Sequence, residues 1–339
     1  MPEPTTPKVP TRAHQAKSSA RGFSRIPTVM TADEIIESAF RRASKISVPH
    51  GDAFQRMKST EIARVRAVQN GISSTLEGYV KRFPSFDQLP PFYQDLAVVL
   101  VDLDRTRKAL GAIDWAAKRV KVVGDEAAAE MKKSGYGELV LRAKSQAYGR
   151  ISSLVKQVDE DLRHLDEARQ KLKALPVIDA ALPTIVVAGY PNVGKSSLVR
   201  KVSSGTPEVA NYPFTTKGVV LGHFEHRHLR YQIVDTPGLL DRPLEERNPI
   251  ELQALYALRH LADVIVFLVD PSEHCGYTLD AQTKLLDETK RAFPETPMIV
   301  AESKADLKTT GAGEIAISTE TGAGVEDLMA LALKRIAPS

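Results

Sequence analysis

Residues Gly189-Tyr190-Pro191-Asn192-Val193-Gly194-Lys195-Ser196 fit the pattern G-x-x-x-x-G-K-S/T, a backbone cradle for nucleotide phosphates. Each part has a physical task. Gly189 and Gly194 let the chain wrap closely round phosphate oxygens. The amides of Asn192, Val193, Gly194, Lys195, Ser196 and Ser197 converge at the start of a helix, whose dipole adds positive potential. Lys195 brings a fixed cation to the β- and γ-phosphates, and the Ser196 hydroxyl is suited to Mg²⁺. The context agrees: apolar Thr184–Ala188 precedes the motif, and Leu198 and Val199 follow at helical spacing.

A second motif, Asp235-Thr236-Pro237-Gly238, reads as D-x-x-G. Asp235 is expected to hold Mg²⁺ through water, and the Gly238 amide to meet the γ-phosphate. Between the motifs lies Asn211-Tyr212-Pro213-Phe214-Thr215-Thr216. Thr216 is the favoured hydroxyl to complete the Mg²⁺ shell, with Thr215 a close rival because spacing does not separate adjacent threonines. Loops held only by γ-phosphate and Mg²⁺ are released after hydrolysis, which makes a switch. Lys195, Thr216 and Gly238 are therefore the expected catalytic set. Leu239 follows the glycine, and an apolar side chain cannot orient an attacking water, so hydrolysis is expected to be slow.

A third group selects the base. Apolar Met298–Ala301 runs into Ser303-Lys304-Ala305-Asp306. A carboxylate at Asp306 can accept from both N1–H and N2–H₂ of guanine, and adenine lacks that donor edge. The stretch resembles the N-K-x-D motif of GTPases, with serine where asparagine is usual and the Lys304 stem along the base. Ser318-Thr319-Glu320 stands where such proteins back the base with an S-A-K/L loop. Ser303 forfeits one hydrogen bond, about 1 kcal/mol, which weakens guanine preference and leaves a hydrolase of relaxed base specificity as an alternative.

These residues need elements to position them. After Pro176, short β-branched runs alternate with helical patterns, the grammar of an α/β domain with a mostly parallel sheet. Six strands are expected, at 184–188, 218–223, 231–235, 264–269, 298–301 and 315–318. The second and third are linked too tightly for a crossover and should form an antiparallel hairpin. Before Pro176 the signals are helical. Thr31 and Glu34 form a capping box ahead of Ile35, Ile36, Ala39 and Phe40. Further helices are expected over about 52–81, 91–111, 113–133 and 138–175, an all-α bundle of four or five helices. Trp115 is expected to pack inside it. The domain reading is a flexible basic arm over 1–26, a helical bundle over 27–176 and the α/β domain over 177–339.

Composition limits the rest. A single cysteine, Cys275, permits no internal disulfide, and no run of eighteen apolar residues or signal peptide is seen, so a cytoplasmic protein is expected. Residues 1–175 carry 30 Lys/Arg against 21 Asp/Glu, whereas 176–339 carry 16 against 21. A basic half beside an acidic half points to a polyanion such as RNA, or to a solvated helical surface rich in lysine. His223, His226 and His228 straddle the expected hairpin turn and read as surface residues rather than a metal cluster.

The motifs G-x-P-N-V-G-K-S, Y-P-F-T-T and D-T-P-G-L resemble those of Obg-related GTPases. Two stretches narrow the likeness: Ile26-Pro27-Thr28 with Thr31-Ala32-Asp33-Glu34 and Ala39 to Lys45, and Asp270-Pro271-Ser272-Glu273-His274-Cys275-Gly276-Tyr277. Both are similar to the nucleolar GTP-binding protein 1 family, and the chain length resembles its shorter archaeal members. The resemblance implies a Ras-like P-loop GTPase domain behind the helical domain, GTP or GDP with Mg²⁺, and a role in assembling the large ribosomal subunit. It also implies rRNA and ribosomal proteins as partners. No membrane partner is expected, and a monomer is expected. In related GTPases an asparagine at the position of Asn192 helps bind K⁺ beside the phosphates, so K⁺ is expected to speed turnover. A third class stays open: an RNA scaffold that binds nucleotide with little turnover.

Overall fold

The computed structural model describes residues 23, 25–210, 212–213 and 218–336. Asn211, Thr215, Thr216 and most of the expected basic arm lie outside these residues. In chain order the helices and strands are α1 (Ala32–Ser44), α2 (Ala53–Arg82), α3 (Pro91–Leu100), α4 (Leu103–Lys133), α5 (Gly137–Gln157) and α6 (Asp159–Lys173). There follow β1 (Thr184–Ala188), α7 (Lys195–Val202), β2 (Glu208–Ala210), β3 (Val219–His226), β4 (Leu229–Asp235), α8 (Pro249–Ala257) and β5 (Val264–Val269). The chain closes with α9 (Leu279–Ala292), β6 (Met298–Glu302), β7 (Ile315–Ala316) and α10 (Val325–Ile336).

Two compact units are formed, one from Gly22–Pro84 with Val101–Lys173, the other from Ser85–Leu100 with Ala174–Ser339. The first holds α1, α2, α4, α5 and α6. Its core is a stack of small and branched side chains, with Val65, Val68, Ile72 and Leu76 of α2 meeting Ile113, Ala116, Ala117 and Val120 of α4, all buried. Thr31 caps α1 through the expected box, its side chain accepting from the Glu34 N–H.

Helix boundaries differ from expectation where a local cap outcompetes periodicity. Asp102 accepts from the Arg105 N–H at 2.9 Å and restarts the helix, so the break falls at Val101–Asp102 and Gly111 lies within α4. The last expected helix is two: α5 ends at Gln157 and α6 begins at Asp159, whose carboxylate accepts from the Ala32 N–H at 2.8 Å. Trp115 is 46% exposed on the outer face of α4, not packed within the bundle.

Helix α3, expected as part of the bundle, belongs to the α/β unit. Phe92, Tyr93, Leu96 and Ala97 are fully buried there. The Tyr93 hydroxyl accepts from the Ile178 N–H at 2.9 Å and bonds the Ile178 carbonyl at 2.7 Å. Burial pushes that phenol well above its ordinary pKa, so it stays a neutral tether.

The sheet has seven strands in the order β2-β3-β4-β1-β5-β6-β7. The strand absent from the expectation is β2, three residues pairing antiparallel with β3. It is short and exposed and carries no alternation of its own, which is why no pattern announced it. The β2–β3 and β3–β4 pairings are antiparallel and the other four are parallel. Arg227 and His228 turn the β3–β4 hairpin with φ of 47° and 65°, the left-handed pair that matches strand twist. Strands β1 and β5 are buried throughout and form the centre. The loops that could hold a ligand leave the carboxyl ends of these parallel strands.

Candidate nucleotide site

The phosphate loop leaves β1 at Gly189, where φ is 130° and a methyl group would sit 2.5 Å from the Leu268 carbonyl oxygen. Only glycine lets the chain cross β5 this closely. Asn192 and Gly194 take left-handed backbone angles of 63° and 102°, and α7 starts at Lys195 with no side-chain cap. The first N–H groups of α7 thus face the cleft without an internal acceptor, the usual geometry for an anion.

Lys195 is only 6% exposed, and its Nζ donates to the carbonyls of Gly189 at 2.7 Å and Tyr190 at 2.8 Å. The ammonium is thereby drawn over its own loop. Asp235 ends β4, fully buried, and the Ser196 hydroxyl donates to its Oδ2. Burial pushes the Asp235 carboxyl up, and the Ser196 hydroxyl and Lys195 charge counter it in part. Its other oxygen, Oδ1, and the Thr236 hydroxyl are buried without a hydrogen-bond partner. Such orphans are costly and uncommon away from functional centres.

Gly238, with φ of 82°, turns the chain out of the cleft. Its N–H donates to Asp241 Oδ2 at 2.7 Å, and its carbonyl accepts from Arg247 Nη1 at 2.8 Å. Leu239 is fully buried, its side chain committed to the core. Together these residues border an open cleft of about 470 Å³ lined by Asn192, Lys195, Ser196, Asp235, Gly238 and Asp241, among others. Cys275 is buried, and burial raises its thiol pKa above the ordinary value, the opposite of an activated thiolate. No group of His, Cys, Asp or Glu able to hold a metal by itself occurs among the described residues, so the three hairpin histidines form none.

The base loops lie at the ends of β6 and β7. Ser303 is buried, and its hydroxyl donates to the Val269 carbonyl at 3.1 Å. Lys304 takes a left-handed φ of 53° and pairs with Asp270 at 2.7 Å. Asp306 is exposed, free of the buried ladder that holds its neighbours. The Ala305 N–H donates to the Ile317 carbonyl at 3.0 Å, tying this loop to Ser318-Thr319-Glu320. A methyl group on Gly194 would lie 3.6 Å from the Thr319 hydroxyl, so the 318–320 loop stands against the phosphate loop. Ser318 is buried and Glu320 exposed.

Four supporting residues escaped the motif reading. Asp270 is buried, and burial pushes it up, yet Lys304, the Ser272 hydroxyl and the Cys275 N–H more than offset this and hold it below the ordinary carboxylate range. It thereby fixes the Lys304 stem. Arg247 is 7% exposed and fastens the Gly238 turn from behind. Asp241 occupies the Gly238 amide. Glu302 gathers the loop after Asp306 through Thr310, Ala312 and their neighbours. A buried charge on a strand end was the available signal for Glu302, and the D-P-S-E-H-C-G-Y stretch for Asp270. For Asp241 and Arg247 nothing local marks the role.

Residues 23–179 match the NOG1 N-terminal helical domain, and residues 249–306 match nucleolar GTP-binding protein 1 (NOG1). An uncharacterized protein of Methanocaldococcus jannaschii is 39% identical over 85% of this chain and 82% of its own length. Nucleolar GTP-binding protein 1 of Drosophila melanogaster is 37% identical over 86% of this chain, which spans 45% of that relative. Among solved structures, a nucleolar GTP-binding protein 1 from Plasmodium falciparum is 35% identical over 48% of this chain and 90% of its own, with a TM-score of 0.43. With the helical domain, residues 249–306 and a relative matched along most of both chains, the chain belongs to the nucleolar GTP-binding protein 1 (NOG1) family of P-loop GTP-binding proteins.

Proposed function

We propose that this chain binds GTP with Mg²⁺, hydrolyses it slowly, and couples nucleotide state to assembly of the large ribosomal subunit. The carrying observation is the cleft itself: an uncapped helix start, a buried lysine, and a serine hydroxyl set on a buried carboxylate with one oxygen orphaned. A hydroxyl beside a carboxylate is a hard-oxygen donor set that fits Mg²⁺: Ser196 would ligate it directly, Asp235 would hold it through water, and Thr216 or Thr215 would complete the shell. Bound there, the cation would neutralise charge on the β- and γ-phosphates. The protein's own part is to hold: the α7 amides and Lys195 grip the phosphates, and Gly238 reports the terminal one. Asp306 reads guanine while Asp270 steadies Lys304 against it. The fully buried Leu239 supports a slow intrinsic rate, because no side chain there orients water. We assign K⁺ to Asn192, whose exposed side chain borders the cleft.

The partners follow from charge and family. The basic residues of the first 175 positions suit rRNA phosphate, and ribosomal proteins complete the precursor surface. No helix among the described residues is long and apolar enough to cross a membrane. The test is single-turnover GTP hydrolysis with and without large-subunit precursors, in K⁺ and in Na⁺. Acceleration by precursors and by K⁺ is expected. Turnover that ignores precursors would leave a stand-alone hydrolase, and none under any condition a binding scaffold.

A further inference from the structure

The Gly238 N–H is the group that a terminal phosphate should reach, yet in this structure it already has an acceptor. Asp241 Oδ2 takes it at 2.7 Å. Asp241 sits three residues past the D-x-x-G motif and lines the same cleft as Lys195, Ser196 and Asp235. One N–H cannot serve two anionic acceptors at full strength. A γ-phosphate would therefore have to displace the carboxylate, and would do so against its charge. A nucleoside diphosphate has no oxygen at that position and meets neither cost.

The surroundings hold the arrangement in place. Arg247, buried, donates to the Gly238 carbonyl at 2.8 Å and to the Arg242 carbonyl at 3.3 Å. The peptide after Gly238 is thus held through its carbonyl by Arg247, and the peptide before it through its N–H by Asp241. The next residue, Leu239, is fully buried in the core. Asp241 also adds a second carboxylate to a cleft that already contains the buried Asp235.

We propose that Asp241 is a specificity-determining residue, an internal competitor of the γ-phosphate that sets the protein's preference between GTP and GDP. The proposal rests on the reading of the cleft as a GTP site. Its bland rival is that Asp241 only stiffens the loop, in which case its removal weakens both nucleotides alike.

The two are separated by calorimetric titration of the full chain with GDP and with a non-hydrolysable GTP analogue, in Mg²⁺. Asp241→Ala should shift the affinity ratio about tenfold towards the GTP analogue, the scale of one charge-assisted hydrogen bond, with GDP affinity changed by no more than about twofold. Asp241→Asn keeps an acceptor oxygen and the shape but loses the charge, so it should shift the ratio by less, in the same direction. It also guards against misfolding of the alanine variant. A ratio that stays within about twofold of wild type in both variants overturns the proposal. So does a parallel loss of both nucleotides in the isosteric variant. If the wild-type chain binds neither nucleotide, the GTP-site reading fails and carries this inference with it. If it binds both and the ratio does not move, the inference fails alone.

Discussion

Replacing Glu302 with glutamine should destabilise the α/β unit in a way that acid erases. Glu302 closes β6 and is 3% exposed. Its carboxylate accepts from the Thr310 hydroxyl at 2.5 Å and from the N–H groups of Thr310, Gly311, Ala312 and Gly313 at 2.9, 3.3, 2.8 and 3.3 Å. Burial alone would raise its pKa, but these donors more than offset it and bring it from 4.5 down to about 2. Each pKa unit is worth about 1.4 kcal/mol, so the charged form contributes about 3 kcal/mol to folding. Glutamine keeps the shape, yet its one carbonyl oxygen replaces two and its NH₂ faces backbone donors. A loss of about 2–3 kcal/mol is expected, roughly 5–10 °C in melting temperature. The sign with pH is definite. A depressed acid stabilises fully above its unfolded pKa and loses that contribution as pH falls through its folded value. The gap between wild type and Glu302→Gln should be complete at pH 7 and should close between about pH 4.5 and pH 2. Thermal melts across that window are the assay. A gap below about 0.5 kcal/mol at pH 7, or one that does not narrow with acid, would refute the reasoning.

Three further outcomes can be checked. Asp306→Asn should move base preference from guanine towards xanthine, because the new amide donor matches the O2 acceptor that replaces the guanine N2–H₂; competition binding of the two nucleotides decides it. Gly189→Ala places a methyl 2.5 Å from the Leu268 carbonyl at a φ of 130°. It should cost about 2 kcal/mol or more in stability by denaturant titration, and a neutral result would mean the loop is less constrained than it looks. Tyr212→Phe removes the buried hydroxyl that donates to the Ala254 carbonyl at 2.8 Å, and should cost about 1–2 kcal/mol in the same titration.

The backbone geometry of the 189–196 loop was legible in the sequence because the motif is a local constraint. Gly189 and Gly194 are glycines for backbone reasons, and Lys195 and Ser196 follow them in a fixed turn, so spacing alone announces the cradle. The central strands were legible for the same reason, since β1 and β5 are short apolar runs between turn residues. What escaped depends on contacts distant in sequence. Helix α3 carries an apolar face that would suit either unit, and only the Tyr93 hydroxyl bonded to Ile178 reveals where it packs. Trp115 sits at a helical position whose exposure depends on which face of α4 meets α2. The stretch from Asp270 to Tyr277 stood out in the sequence, but the task of Asp270 shows only when Lys304, 34 residues later, closes on it. A cap deceived in the other direction: Asp102 restarts a helix inside a periodic stretch that reads as continuous.

The central claim is a cradle around Lys195 that grips a guanine nucleotide. Its most direct test is calorimetric titration of the purified chain in Mg²⁺ with GDP and ADP, beside Lys195→Ala. Two charge-assisted bonds to guanine should make ADP about 100-fold weaker than GDP, and Lys195→Ala should show no measurable binding of either. Equal affinity for ADP and GDP, or a Lys195→Ala variant that binds like wild type, would contradict it.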